Sequence, residues 1–368
     1  MKKTLFFNAA ALAAFMAQPL AAQLKYDNAS GGSVTLYGQF NPAWQSVDDG
    51  VEKYNNLVDS THSNSRVGLW VRQPTSAGQF SFNFETALGL RQSNMVSQNF
   101  KPDALHWRRV NIRKVDFALE TDRAGKFYFG QGSMASDLIA HSDLSGTALV
   151  IYSAIGDSSG GFRFRDTTGA LTGPTIGAAT PDFDGGRRGR IRYDSPSFSG
   201  FTVSASYGEE ILAQNVDFKA TDITLRYKGE FGATKMVAGL AYAHRKPNAN
   251  TTLKDTLGSF SLLHESGFNF TMAAGSRQNA GSYTYAKFGY QADWLAVGKT
   301  ALAIDYYHGR DTGLTNGSRA KVLGVGAVQK FDSQNVEAYL GLRKYEYSQP
   351  GTAYQDISSL FMGARWRF

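Results

Sequence analysis

The sequence predicts an all-β protein: a sixteen-stranded antiparallel transmembrane β-barrel with short turns at one rim and long loops at the other. Three observations predict it. Apolar and polar residues alternate with period two in run after run, which puts one face of each strand in an apolar medium and the other in water. No stretch approaches the 18 consecutive apolar residues that a membrane helix needs. The links between runs largely alternate between short and long, as expected of a barrel with tight periplasmic turns and exposed extracellular loops.

The first 22 of the 368 residues read as a secretory leader. Lys2 and Lys3 give a positive start, an Ala/Leu/Phe stretch follows, and Pro19-Leu20-Ala21-Ala22 offers small residues for cleavage before Gln23. The apolar stretch is too short to cross ~30 Å of hydrocarbon as a helix. Residues 23–368 then form one barrel domain.

In the clearest run, Phe80, Phe82, Phe84, Thr86, Leu88 and Leu90 alternate with Gln79, Ser81, Asn83, Glu85, Ala87 and Gly89. Similar runs start near Ser33, Arg66, Trp107, Lys126, Arg187, Phe201, Asp222 and Lys235, and again near Leu257, Phe268, Tyr283, Thr300, Ala320, Val336 and Ile357. Helices would need spacings of three and four, which these runs lack. Short links lie at 74–78, 121–125, 195–200, 229–234, 265–267, 295–299 and 331–335. Longer polar stretches occupy 48–65, 92–106, 245–256, 310–319 and 346–356. Tyr37, Trp44, Trp107, Trp294, Tyr306, Tyr307 and Trp366 lie near run ends, where rings suit the membrane interface.

Composition narrows the function. There are 25 Phe, 18 Tyr, 5 Trp and 39 Gly, a core-forming content that excludes a disordered chain. The absence of Cys removes disulfides, Cys-based zinc sites and Cys nucleophiles together. A net charge of +7 over this length is weak grounds for a nucleic-acid partner. His62, His106, His141, His244, His264 and His308 are scattered, and neither a Gly-x-Ser-x-Gly nor a His-Glu-x-x-His motif accompanies them, so no enzyme is expected. Asp182-Phe183-Asp184-Gly185-Gly186 has part of a calcium-loop pattern without the remaining ligands, so neither metal nor cofactor is assigned. An outer-membrane hydrolase and a secreted all-β binding protein are the competing classes. A sugar- or anion-specific channel is the nearest alternative.

Several segments carry a family resemblance: Ser33-Val34-Thr35-Leu36-Tyr37-Gly38, Ser65-Arg66-Val67-Gly68-Leu69, Arg192-Tyr193-Asp194-Ser195-Pro196, and the terminal Met362-Gly363-Ala364-Arg365-Trp366-Arg367-Phe368. In order and spacing the chain resembles the general, trimeric porins of Gram-negative outer membranes. The resemblance implies a homotrimer among outer-membrane lipids, passive passage of ions and small hydrophilic solutes, and a C-terminal Phe368 read by the barrel assembly machinery. It also implies a third loop folded into the pore. Residues 132–186 have no sustained alternation and are far longer than an ordinary loop, which marks them independently as functional.

On that loop Asp137, Asp143 and Asp157 are the candidate acidic constriction residues. The wall opposite should be basic. Arg66 and Arg72 share parity with Gly68 and Trp70, while Val67, Leu69 and Val71 form the lipid-compatible face. An Arg facing lipid at midplane costs about 2–4 kcal/mol, so these guanidinium groups should point into water. By resemblance, Arg113 and the Arg187, Arg188 and Arg190 group complete the basic wall. Arg113 is awkward, because Lys114 and Asp116 charge the opposite parity; a bulge would reconcile them. The predicted action is a water-filled passage with a transverse field and a slight anion preference.

Overall fold

In a computed structural model, residues 24–313 and 315–368 are described; the leader expected at 1–22 lies outside them. All strands belong to one antiparallel sheet that closes on itself as sixteen staves. The first stave, β1, runs Ser33–Phe40 and, after Asn41, Pro42–Asp48. The second, β2, runs Lys53–Asp59 and resumes at Arg66–Thr75 after a 3-10 turn at Thr61–Ser63. Then come β3 (Gly78–Ala87), β4 (Ile112–Thr121), β5 (Gly125–Ser133), β6 (Arg187–Asp194), β7 (Phe201–Glu209) and β8 (Lys219–Phe231). The last eight are β9 (Thr234–Asn248), β10 (Thr251–His264), β11 (Phe268–Arg277), β12 (Ser282–Leu295), β13 (Gly298–Arg310), β14 (Arg319–Phe331), β15 (Val336–Gln349) and β16 (Ile357–Arg367).

Closure comes from β16 pairing with β15 on one side and β1 on the other. The chain end completes it. Phe368 and Gly38 exchange two backbone hydrogen bonds (3.0 and 3.1 Å), and the Phe368 ring lies where a side chain on Gly38 would stand. Gly38 is thus required by close approach.

Outward residues form the apolar face that the alternation predicts. Phe129 is 66% exposed, Ile191 63% and Phe288 61%. A band of such rings around the whole barrel is stable only in hydrocarbon. The register confirms the parity: Trp70 stands opposite Thr35 and Asn83, and Leu69 opposite Leu36 and Phe84.

The long links are fewer than the sequence suggests. Of 245–256 most is strand, because β9 and β10 run 15 and 14 residues and join through two residues. Stretch 48–65 likewise contains Lys53–Asp59. Strands of that length exceed the 9–11 residues a membrane needs, so their polar ends project above the bilayer as a hairpin. The run placed near Trp107 begins as strand only at Ile112; residues 88–111 are a loop, L2. The long connection 134–186, L3, joins β5 to β6 and fills part of the lumen.

Candidate pore constriction

L3 is held inside the barrel by residues on alternate, inward positions of the wall. Its apolar side chains lie over wall glycines. Ile139 meets Gly239 on β9, and Val150 and Ile151 meet Gly326 on β14 and Gly341 on β15. A Cβ on Gly341 would stand 2.4 Å from Val150 Cγ2, so the missing side chain is what lets the loop lie flat. Ile139, Val150, Ile151, Ile155, Phe162 and Phe164 are buried there.

Polar wall residues satisfy the loop backbone. Ser206 Oγ accepts from Ala135 N–H (2.8 Å) and Asp222 from Ser136 N–H (2.9 Å). Ser259 and Ser261 accept from Ser142 and Leu144 (3.1 and 2.9 Å). Arg226 donates to the carbonyls of Ala135 and Asp137 (both 2.8 Å), and Arg245 to those of Phe183 and Asp184 (2.8 and 2.9 Å). Arg343 reaches Tyr152 O (3.0 Å) and Ile155 O (3.3 Å) while paired with Asp305 at 2.5 Å. Buried backbone groups left unpaired would each cost about 1–3 kcal/mol, so this lattice fixes the loop's path.

The three predicted carboxylates part company. Asp137 lies 4.0 Å from Arg187, close to the basic wall. Asp143 instead binds the fully buried Lys287 of β12, whose Nζ also donates to Ile151 O at 3.1 Å. That carboxylate ties L3 to the far wall, away from the arginines. Asp157 accepts a hydrogen bond from Tyr152 Oη, and burial pushes its carboxyl up to about 6. It lines a small cavity with Asn94, Pro181 and Asp182.

The arginines divide as well. Arg66 Nε is 3.4 Å from Glu85; Arg113 Nε is 2.5 Å from the same carboxylate, and Arg113 Nη1 donates to Asn64 Oδ1 (3.0 Å). Arg113 turns inward because the β3–β4 register slips between Glu85 and Thr86, leaving Arg113 as the extra residue while Lys114 keeps its inward place. Arg187 and Arg188 line one cavity with Arg113 and Gln131; Arg188 also faces Glu210 at 3.7 Å. Arg190 is taken by a two-pronged pair with Asp116, both bonds 2.9 Å. Arg72 is inward but six residues below Arg66, roughly 20 Å along the strand, with its guanidinium over Trp70 at 4.6 Å. Arg66, Arg113 and Arg187 are therefore brought together; Arg72 and Arg190 stand apart.

Sequence reasoning missed Lys114, Arg365, and the wall residues that carry L3. Arg365, inward on β16, pairs with Glu337 (2.9 Å) and reaches Ser63 (3.1 Å). The available signal was parity: charged residues in strand interiors, such as Lys287 and Arg343, have to face the lumen. A second element within L3 is His141, 2.9 Å from Asp182 and 3.7 Å from Asp184. Burial pulls its pKa down, but the two carboxylates outweigh that and raise it to about 10. This imidazolium clasps the outgoing and returning limbs of the loop.

Comparison with known proteins agrees with the geometry. The sequence profile of the Gram-negative porin family matches residues 9–350. No curated protein sequence matches. Among solved structures, the chain is similar to an anion-selective porin from Comamonas acidovorans (16% identity, 92% of this chain and 100% of that one, TM-score 0.60). It is also similar to OmpF of Salmonella typhi in complex with daunomycin (12% identity, 94% and 100%, TM-score 0.58). A trimer form of OmpT from Vibrio cholerae is similar too (14% identity, 92% and 99%, TM-score 0.56). A sixteen-stranded barrel with polar residues inside, apolar residues outside and a profile match over nearly its whole length is an outer-membrane channel for passive diffusion, and the chain belongs to the Gram-negative porin family.

Proposed function

We propose that ions and small hydrophilic solutes pass between L3 and the wall of β2 to β6, and that the narrowest charged zone biases the channel toward anions. The observation that carries this is the gathering of Arg66, Arg113, Lys114 and Arg187 around Glu85 and Asp137, the further carboxylate near Lys114, Asp116, being taken by Arg190. Four cations against two anions leave a positive excess where the field acts over the shortest distance. Asp137 takes the acidic side of the transverse field; Asp143 is a loop tether and Asp157 a titrating group of the loop. Solute crossing needs no bond to be made or broken. The test is the zero-current potential in a planar bilayer under a KCl gradient. Anion preference is expected, weakened in Arg113→Gln and further in Arg113→Gln/Arg187→Gln. Cation preference in the wild type, or the same potential in all three, would refute the assignment.

The same reading includes a leader at 1–22, one barrel domain over 23–368, and a homotrimer. Apolar outward residues on β1 and β2, among them Leu36, Phe40 and Leu57, suit contact with a second copy. Migration of unheated protein as a trimer in detergent gels supports it; a monomer at all concentrations refutes it. Recognition of Phe368 by the assembly machinery is tested by deleting that residue and following insertion into the outer membrane.

A further inference from the structure

On the periplasmic side of the constriction, the lumen wall carries an indole with two cations beside it. Trp70 of β2 points inward between Thr35 and Asn83. The Arg72 guanidinium lies 4.6 Å from its ring centroid and the Lys114 ammonium 5.8 Å, both within range of the ring's negative face. The cross-strand register sets their order along the passage: Lys114 stands opposite Glu85, Trp70 opposite Asn83 and Arg72 opposite Ser81. Each step is two residues, about 7 Å, nearer the periplasmic turn. A second ring adjoins. Tyr37 lies over Gly68, one inward position above Trp70, where a Cβ would stand 2.5 Å from Tyr37 Cζ. Its hydroxyl accepts from Asn83 Nδ2 (3.0 Å) and donates to Glu85 (2.9 Å), which fixes the ring in place.

What singles out this cluster is that its cations are unpaired. Among the described residues, neither Arg72 nor Lys114 has a carboxylate within 4.0 Å, and neither donates a hydrogen bond to the protein. The acids nearest Lys114 in the sheet are already engaged: Glu85 by Arg66 and Arg113, and Asp116 by Arg190 through two bonds of 2.9 Å. Tyr128 on β5 supplies the contrast. Lys126, Arg190 and Arg192 all lie within 5.4 Å of its ring, and each is neutralised, by Glu120, Asp116 and Asp194 respectively. The same wall thus sets cations on two rings and leaves their charge open at Trp70.

We propose that Trp70, Arg72 and Lys114 form a transient subsite for monocyclic aromatic carboxylates on their way through the channel. The carboxylate takes the open donors of Arg72 and Lys114, the guanidinium offering two parallel bonds. The solute ring packs against Trp70 and Tyr37 in the offset or edge-on geometries that aromatic pairs favour. Because the site opens to the water-filled lumen, binding stays weak enough for release, which conduction requires. The proposal rests on the reading that anions travel along the wall of β2 to β6, and it adds a second filter. Charge admits the anion; the indole delays the one that carries a ring.

The test records the channel in planar bilayers in KCl and measures the half-blocking concentration of benzoate, of cyclohexanecarboxylate and of benzyl alcohol. Benzoate should act at a roughly fivefold lower concentration than cyclohexanecarboxylate, and benzyl alcohol should not block in that range. Trp70→Leu should abolish the difference between the two acids, and Trp70→Phe should restore it. Arg72→Gln should raise the half-blocking concentration of benzoate about tenfold. The zero-current potential under a KCl gradient, read in the same membranes, should be unchanged in Trp70→Leu, which shows an intact pore and keeps the two readings separate. Anion preference with equal block by the two acids, or a benzoate block that survives both Trp70→Leu and Arg72→Gln, would overturn this proposal alone. Cation preference with a benzoate block that vanishes in Trp70→Leu would overturn only the charge bias and uphold the subsite.

Discussion

Replacing Lys287 by Met tests how L3 is held. Lys287 has no exposed side-chain surface; its ammonium meets Asp143, donates to Ile151 O at 3.1 Å and lies 3.3 Å from Thr147 Oγ1. Met fills nearly the same volume, so packing changes little. The loss is electrostatic. Asp143, with its side chain 6% exposed, would be left as a buried charge without its partner, which costs about 3–5 kcal/mol. Because Arg226, Ser259, Ser261 and Arg343 still hold the rest of L3, the energy comes out of local docking of residues 143–151, and the barrel persists. Single-channel recording should then show flicker between conductance levels in place of a steady open state, and protease should cut within that segment. Asp143→Asn in the same chain removes the orphaned charge while keeping the acceptor for Ser145 N–H (2.7 Å), and should recover most of the steady conductance. A steady wild-type current in Lys287→Met, or a double variant as disturbed as the single one, would refute the reasoning.

Other consequences are equally specific. Gly341→Ala places a methyl against Val150 and should cost about 1–3 kcal/mol, pushing L3 into the pore and lowering conductance, which bilayer recording measures. The Asp157 carboxyl is raised from 3.8 to about 6. The native state therefore binds the extra proton between those values, and its stability falls as pH rises through that window. Thermal unfolding against pH should show this slope, and Asp157→Asn should remove it. His141 has the same sign in a higher window. Its contribution is complete below its ordinary 6.5 and is lost as pH rises through about 10, so L3 should loosen in alkali and already at neutral pH in His141→Gln. Current noise against pH reads both effects.

The staves were legible because their period survives a single sequence: Phe80, Phe82 and Phe84 face outward and Ser81, Asn83 and Glu85 inward, as their alternation requires. Arg113 shows how local conflict carries information. Charges on both parities of one segment mean that the register has to slip, and the structure places that slip between Glu85 and Thr86. Loop lengths were harder. Residues 245–256 are polar, yet a barrel taller than the bilayer keeps them in strand. Least legible was the fate of Asp143, since its partner Lys287 lies 144 residues away and only closure of the barrel brings the two together. Loop acids read alike until the wall behind them is known.

The absence of native cysteine makes the central claim directly testable by single-cysteine scanning of β2 with a bulky, charged, water-borne thiol reagent during current recording. Trp70→Cys and Arg72→Cys should react and lower the current, while Val67→Cys and Leu69→Cys, facing hydrocarbon, should stay unmodified. Reaction at Val67 and Leu69 with silence at Trp70 and Arg72 would contradict the account.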